Sequence, residues 1–576
     1  MSGVGSLAAF KPLFTSFFYR SLTVGAAAGG GRPDRNPNLF VPQMPSTSSQ
    51  LLPSNLSRML RRAQRALEEG DLAKAERLHT ALLQHHPDNF DALHGLGQIN
   101  YQRGRLDAAL ALIQAALRSD FTRVDGFASL GLVFHALRDF ARALVSYDEG
   151  LRLEPDDGEL LNRRGVALLE LKRPDEALAS FDRLLAAAPA HLDALGNRGN
   201  ALLKLNRVAE ALAAYDRALQ LAPKNAQLLT NRAVALRRLD RPHEALMSAT
   251  SALLCKPDFA QARFVESVAR LTMGDFTRGW DCYEARWQVG WLASQRRDFA
   301  APLWKGKESL AGKTILLHAE QGLGDTIQFV RYAPLLAARG ATVVLEVQQP
   351  LVRLLTRLPG VAAMVARKAP LPRYDYHCPL LSLPFACTTT LATIPAEIPY
   401  LAAADADVAS WRALLPQRRR IGLVWSGERS HDNDLNRSIR LETLAPLLDL
   451  PGIAFVSLQH EVREEDAALL QGRSDALLPI GPKFKDFADT AAVIAALDAV
   501  IAVDTAVAHL AGAMGKPLFL LLPFAADFRW LRERADSPWY PTARLFRQPQ
   551  FGDWDSVVKI LRQELTQFET RQGRAA

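Results

Sequence analysis

Only four of the 576 residues are cysteine, and Cys255, Cys282, Cys378 and Cys387 form no close CxxC pair. That scarcity argues against a zinc site or a disulfide framework and suits a reducing cytosol. Long apolar runs are also missing, so no segment has the uninterrupted length of a membrane-spanning helix. Charge of one sign is scarce as well: the formal net of +8 is small for this length, and the arginines are spread among interleaved acids. Such spreading describes a solvated surface and excludes a nucleic-acid stripe. The first 50 residues hold no acid before Asp34, are rich in Gly, Ser and Pro, and have their apolar run broken by Lys11 and Arg20. Residues 1–55 are therefore expected to be disordered or poorly ordered, or a wrongly assigned start, with a cleaved signal or transit peptide as the alternative.

Repetition is what the chain does have. Pro155, Pro189, Pro223 and Pro257 recur every 34 residues, and the same step backwards reaches Phe121 and Pro87. Gly97, Gly131, Gly165 and Gly199 keep the interval, as do Ala75, Ala109, Ala143, Ala177, Ala211 and Ala245. A fixed period of that length reads as tetratricopeptide repeats. Each unit is a helical hairpin that stacks into a solenoid with a concave binding surface. Between Gly158 and Pro189, Leu160, Leu161, Val166, Leu168 and Leu169 give one apolar stripe, with Gly165 small enough for a neighbouring helix. A second helix runs through Ala177, Leu178, Phe181, Leu184 and Leu185, with Pro174 in its first turn and Pro189 ending it. About six full repeats run from near residue 56 to near 259, followed by a degenerate seventh. Residues 56–290 are thus assigned to an α solenoid that holds a protein partner in its groove.

A chain of this length exceeds what one core supports. Near Gly279 the repeat gives way to Trp280, Tyr283, Trp287, Trp291 and later Trp304. Lys313–His318 reads as a buried strand, Gln321–Asp325 as a tight turn, Thr326–Arg339 as a helix and Thr342–Glu346 as a second strand, which is a βαβ unit in a parallel sheet. A second series starts with a strand at Arg420–Trp425 and continues near Ile453–Leu458 and Ala499–Val503, with a last strand at Leu518–Leu522. Pro395 to Pro416 reads as a linker with one short helix. The fold class is an α solenoid followed by α/β, with Rossmann-like halves at 291–405 and 406–576, and ligands belong at the carboxyl ends of their strands.

Three strand ends are candidates. In the run from Val503 to Pro517, a buried strand ends in Asp504 and a helix begins at once. Amides at that start, Ala506 included, and the Thr505 hydroxyl suit a phosphate, and His509 lies one turn on. The alternative is that Asp504 and Thr505 cap the helix while His509 sits in a satisfied core. In His318–Asp325, Gly322 and Gly324 let backbone pass close to a ligand, while Asp325 either caps the helix or takes a proton from a hydroxyl. In the third, Trp425-Ser426-Gly427-Glu428 leads to Asn436, Arg437 and Ser438, and Arg437 suits a pyrophosphate. The acids Asp405 and Asp407, and Asp432 and Asp434, form DxD patterns in polar segments, and no metal or cofactor is assigned to them. The later loop with Phe524, Asp527, Arg529, Trp530, Trp539 and Tyr540 offers tryptophans either to a sugar or base or to the core. The final stretch carries Val557, Val558, Ile560, Leu561, Leu565 and Phe568 at helical spacing.

Residues from about 313 to 565 resemble the heptosyltransferase-type glycosyltransferases. The GLGD turn and the DTAVAHLAGAMGKP segment carry the likeness. It implies a B-type fold of two Rossmann-like halves, Asp325 as general base, and a nucleotide-diphosphate sugar held by Asp504, Thr505 and Ala506, with His509 nearby. The family's lysine in the loop after the second half's first strand is replaced here by Arg437. The same resemblance implies metal-independent direct displacement onto a saccharide acceptor, and a terminal helix that crosses back to the first half. The whole architecture is similar to bacterial repeat-plus-transferase proteins. Protein O-GlcNAc transferases place an asparagine ladder two residues before the repeat glycine; here that register holds Asn197 and Asn231, but Arg163, Ser129 and Gly95 elsewhere. A protein acceptor and a non-catalytic scaffold are therefore alternatives.

Overall fold

A computed structural model describes residues 54–572, Asp432 excepted. The N-terminal segment, Asp432 and the side chains of Trp291 and Phe568 lie outside the described residues. Among the described residues, no helix is long and apolar enough to cross a membrane. The chain divides between Pro223 and Lys224 into two compact units.

The first unit is a helical solenoid. Its hairpins run from Ser54–Glu68 with Leu72–His85 to Leu192–Lys204 with Val208–Leu221. Asp71, Asn89, Asp139 and Asp157 cap helix starts by accepting first-turn N–H groups, and Pro174 takes the first turn of Pro174–Ala187. The glycine series marks close approach between the helices of a hairpin. A Cβ on Gly165 would stand 2.4 Å from the Phe181 ring, and one on Gly199 the same distance from Tyr215.

The second unit opens with one further full hairpin, Ala226–Arg238 with Pro242–Cys255, and then Ala260–Thr272 with the 8-residue helix Phe276–Tyr283. That last hairpin shares a core with the sheets of its unit. Leu271, Phe276, Trp280 and Tyr283 belong to the same buried cluster as Ile315, Phe329, Leu520 and Trp539.

Two parallel sheets complete the unit. The first holds β1 (Thr314–His318), β2 (Thr342–Val347), β3 (Val361–Ala366) and β4 (Tyr376–Pro379) in the order β3-β2-β1-β4. The second holds β5 (Arg419–Val424), β6 (Ile453–Ser457), β7 (Leu477–Pro479), β8 (Ala499–Val503), β9 (Leu518–Leu522) and β10 (Ala543–Arg547) in the order β10-β9-β8-β5-β6-β7. All named pairings are parallel. Both orders reverse beside their first strand, between β1 and β4 and between β5 and β8. Those reversals are where the doubly wound fold opens a crevice.

Four details differ from the sequence expectation. The helix expected over Thr326–Arg339 is two, Leu323–Phe329 and Tyr332–Ala338, because Pro334 has no N–H and its ring collides with the carbonyl four residues back. The strand at Leu518–Leu522 is not the last, since β10 pairs with it along the edge. Two further strands of the first half, β3 and β4, and the three-residue β7 are additional to those expected: β3 is apolar but rich in helix formers, and β4 and β7 are too short to show a period. The terminal helix Trp554–Gln572 stays on its own half. Val557, Val558, Leu561 and Leu565 are buried with Leu423, Leu444 and Leu447, covering a face of the second sheet.

Candidate functional site

The second sheet builds one wall. β8 is buried throughout and delivers Asp504 at its carboxyl end. Thr505 is extended, with φ −144° and ψ 170°, and its hydroxyl donates to the Val503 carbonyl at 3.2 Å. No side chain caps the helix Ala506–Ala513 that starts here. The capping alternative for Asp504 and Thr505 is therefore not what forms, and the helix start, with its positive dipole end, opens to the cavity.

One strand over, β5 ends in Trp425 and Ser426, both buried. Gln459, at the end of β6, donates to the Ser426 carbonyl at 3.0 Å and accepts from the Ser426 N–H at 3.3 Å, which fixes that turn. A Cβ on Gly427 would stand 2.5 Å from the Arg437 guanidinium, so the glycine leaves that side chain its place. Arg437 Nη1 donates to the Asp504 carbonyl at 3.0 Å, so it ties the loop after β5 to the end of β8. Its Nε is buried with no hydrogen-bond partner.

The first sheet builds the opposite wall. Asp325 Oδ2 accepts the Gly322 N–H at 2.8 Å, the capping bond at the start of Leu323–Phe329. Asp325 Oδ1 accepts from Arg529 Nη2. Gly324 makes a different close approach from the one expected. A Cβ on it would stand 2.8 Å from His509 Cδ2 and 3.4 Å from Ala506 Cα. The glycine is there so that the turn of one half can rest on the helix start of the other.

These residues line one cavity of about 1270 Å³, whose walls include Gly322, Gly324, Asp325, Ser426, Arg437, Asp504, Thr505, Ala506 and His509. Asn197 and Asn231 are not among them. The Asn197 side chain donates to Asn162 Oδ1 at 3.0 Å within the first unit, and Asn231 accepts from Gln227 at 2.8 Å. Of the DxD acids, Asp407 pairs with Arg353 at 3.1 Å and Asp434 with Arg463 at 2.5 Å.

Electrostatics separate the acids. Burial and the neighbouring Asp527 push the Asp504 carboxyl up to about 6. Burial works against the Asp527 charge too, but the Arg529 guanidinium and the N–H bonds from Arg529 outweigh it and hold the carboxyl below its usual range. His509 is driven down to about 3, first by burial and then by Arg529, so the ring is neutral at pH 7. It shares a hydrogen bond with the Tyr540 hydroxyl at 2.9 Å and stacks on Trp530 with ring centres 5.3 Å apart. His509 is a buried, satisfied ring at the floor of the site. Trp530, Trp539 and Tyr540 are fully buried, so these three rings belong to the core.

Arg529 is named in the sequence only as one residue of the aromatic loop after β9, and no site role is read from it there. It binds Asp325, Asp527 at 2.8 Å and Gln328 Oε1 at 2.7 Å, and so fastens the loop after β9 to the first half. Its one local signal is Asp527-Phe528-Arg529, two unlike charges just beyond a buried strand next to β8.

Comparison with known proteins adds two families. Models of the tetratricopeptide repeat match residues 66–128 and, in overlapping segments, 129–191, 173–226 and 197–262. The model of glycosyltransferase family 9 (heptosyltransferase) matches residues 453–522, the stretch from β6 to β9 that holds Gln459, Asp504, Thr505 and His509. Protein FlbA of Caulobacter vibrioides is 29% identical over 336 residues, which is 54% of this chain and 56% of FlbA. The chain thus spans about half the length of that relative. Among solved structures, a tetratricopeptide repeat protein from Parabacteroides merdae is 18% identical, with 40% of this chain and 92% of that one covered and a TM-score of 0.35. PilF of Pseudomonas aeruginosa is 17% identical, with 36% and 95% covered and a TM-score of 0.33. The chain carries tetratricopeptide repeats together with a segment of the heptosyltransferase family.

Proposed function

We propose that the second unit transfers a sugar from a nucleotide-diphosphate donor to a hydroxyl of a saccharide or protein acceptor, and that the repeats recruit the acceptor or a protein partner. The observation that carries this reading is the convergence on one cavity of Asp325 from one half with Asp504, the open helix start at Ala506 and Arg437 from the other. In a direct displacement the acceptor oxygen bonds to the anomeric carbon as the bond to the diphosphate breaks, and the electron pair leaves on the diphosphate. Charge growing there is met by the helix start and Arg437, fixed positive groups that take no reorganisation during reaction and need no metal. The proton from the acceptor passes to Asp325, whose two occupied hydrogen bonds leave further lone pairs facing the cavity. Residues 291–405 then serve the acceptor and 406–576 the donor.

Calorimetry and transfer assays on Asp325→Asn separate the roles. Donor binding is expected to persist while transfer is lost, and loss of both would make Asp325 structural. A screen of ADP- and UDP-sugars for thermal stabilisation tests the premise, because a ligand bound only by the folded chain raises its melting point. If no nucleotide sugar does so, the transferase reading falls and a repeat scaffold remains.

A further inference from the structure

The repeats are more than a recruitment platform, because one of their helices reaches the transferase cavity. Helix Ala226–Arg238 belongs to the last full hairpin, and its Arg237 and Arg238 line the same wall as Asp527 and Phe528. The hairpin is held there firmly. Arg532 Nε donates to Asp240 Oδ2 at 3.0 Å, two residues past the helix end. Phe528 sits with ring centres 5.7 Å from Trp280 and 6.0 Å from Tyr283, and Tyr283 packs in turn on Phe264 at 5.5 Å. Arg237 therefore reaches the cavity from a fixed helix.

Its electrostatic situation is unusual. Among the described residues the Arg237 side chain makes no ion pair or hydrogen bond, while burial and then Arg238 disfavour its charge and Asp527 supports it. Around the helix start the guanidiniums are already engaged: Arg529 pairs with Asp325 and Asp527, and Arg437 donates to the Asp504 carbonyl. A diphosphate entering that region brings negative charge close to Asp325, Asp504 and Asp527, and buried charge without a partner is costly.

We propose that Arg237 is a donor-binding residue supplied by the repeats, which pairs with the diphosphate of the nucleotide sugar when the cavity is filled. This deepens the transferase reading and rests on it. An anion there gives the Arg237 guanidinium a partner, and the positive charge of Arg237 offsets part of the repulsion from the nearby carboxylates; a bidentate contact is what an arginine makes with phosphate oxygens.

Titration calorimetry of the full chain with ADP, UDP, GDP and CDP tests this. For whichever of them binds, Arg237→Gln is expected to weaken affinity roughly tenfold to a hundredfold, the range for one hydrogen-bonded charge contact. Arg237→Lys keeps the charge and is expected to recover most of the loss, which separates a missing contact from a misfolded helix. Unchanged affinity in Arg237→Gln, with binding lost in Arg437→Ala, overturns the role of Arg237 and leaves the transferase site standing. Absence of binding of any nucleoside diphosphate to the unaltered chain overturns both.

Discussion

Asp504 is ionised only with difficulty, and that makes it testable through pH. Its carboxyl titrates near 6 in the folded chain against an ordinary 3.8, because it is buried and faces Asp527. Between those values the folded chain holds a proton that the unfolded chain has released. The stabilisation is fully present below about 3.8 and is lost as pH rises through about 6. Melting curves should therefore show Asp504→Asn gaining on the unaltered chain as pH rises across that window, with a constant difference above it. A constant difference across the whole window would mean the carboxyl is not perturbed. Asp504, Asp325 and Arg437 are legible in the sequence because each lies just past a short apolar run, in or after a turn, which marks a strand end. Arg529 and Arg237 are not. Arg529 acts through a partner 204 residues away, and Arg237 reads as one more charge on a repeat helix. Contacts of that range leave no periodic trace.

At the level of elements, buried strands stand out where they carry a short continuous apolar run, as at Ile315–Leu317 in β1, Ile421–Val424 in β5, and throughout β8 and β9. Strand β10, Ala-Arg-Leu-Phe-Arg, alternates with charge and lies at a sheet edge, so its pattern competes with that of a loop. Strand β3, Val-Ala-Ala-Met-Val-Ala, is half-buried and rich in helix formers. The two turns that meet at the cavity are visible as motifs, and Gly324 also spaces two helix starts. Gly324→Ala is accordingly expected to destabilise by about 1–3 kcal/mol through overpacking against His509, seen as a lowered urea midpoint with unchanged slope. An unchanged midpoint would show that the His509 ring gives way freely. Repeat helices are the easier case, since Gly165 and Gly199 keep the period and each faces an aromatic ring in the partner helix.

Across the second unit, three arginines hold the sheets together. Arg529 bridges to Asp325. Arg353 reaches Asp486 at 2.7 Å and Asp489 at 2.6 Å from the first half. Arg331, almost wholly buried, donates to the Trp539 carbonyl at 2.8 Å, the Pro395 carbonyl at 3.1 Å and the Tyr400 hydroxyl at 2.9 Å. Arg353 is 43% exposed, so its removal is worth little in stability. Arg331→Met strands several buried acceptors and is expected to cost about 3 kcal/mol or more. Differential scanning calorimetry would read this as a lower transition temperature, and an unaltered transition would show that water replaces the guanidinium. That such a network exists follows from the doubly wound order, which the sequence supports; which residues form it depends on tertiary packing alone.

The placement of helix Ala226–Arg238 has a consequence for anyone exchanging modules. A chimera joined near residue 290, where the aromatic cluster first suggests a seam, would discard Arg237, Asp240 and Phe264 along with the array. One spliced at Pro223 and Lys224 would exchange the upstream repeats and carry the cavity over whole. Shuffling of such genes is thus constrained to trade repeats only upstream of that hairpin.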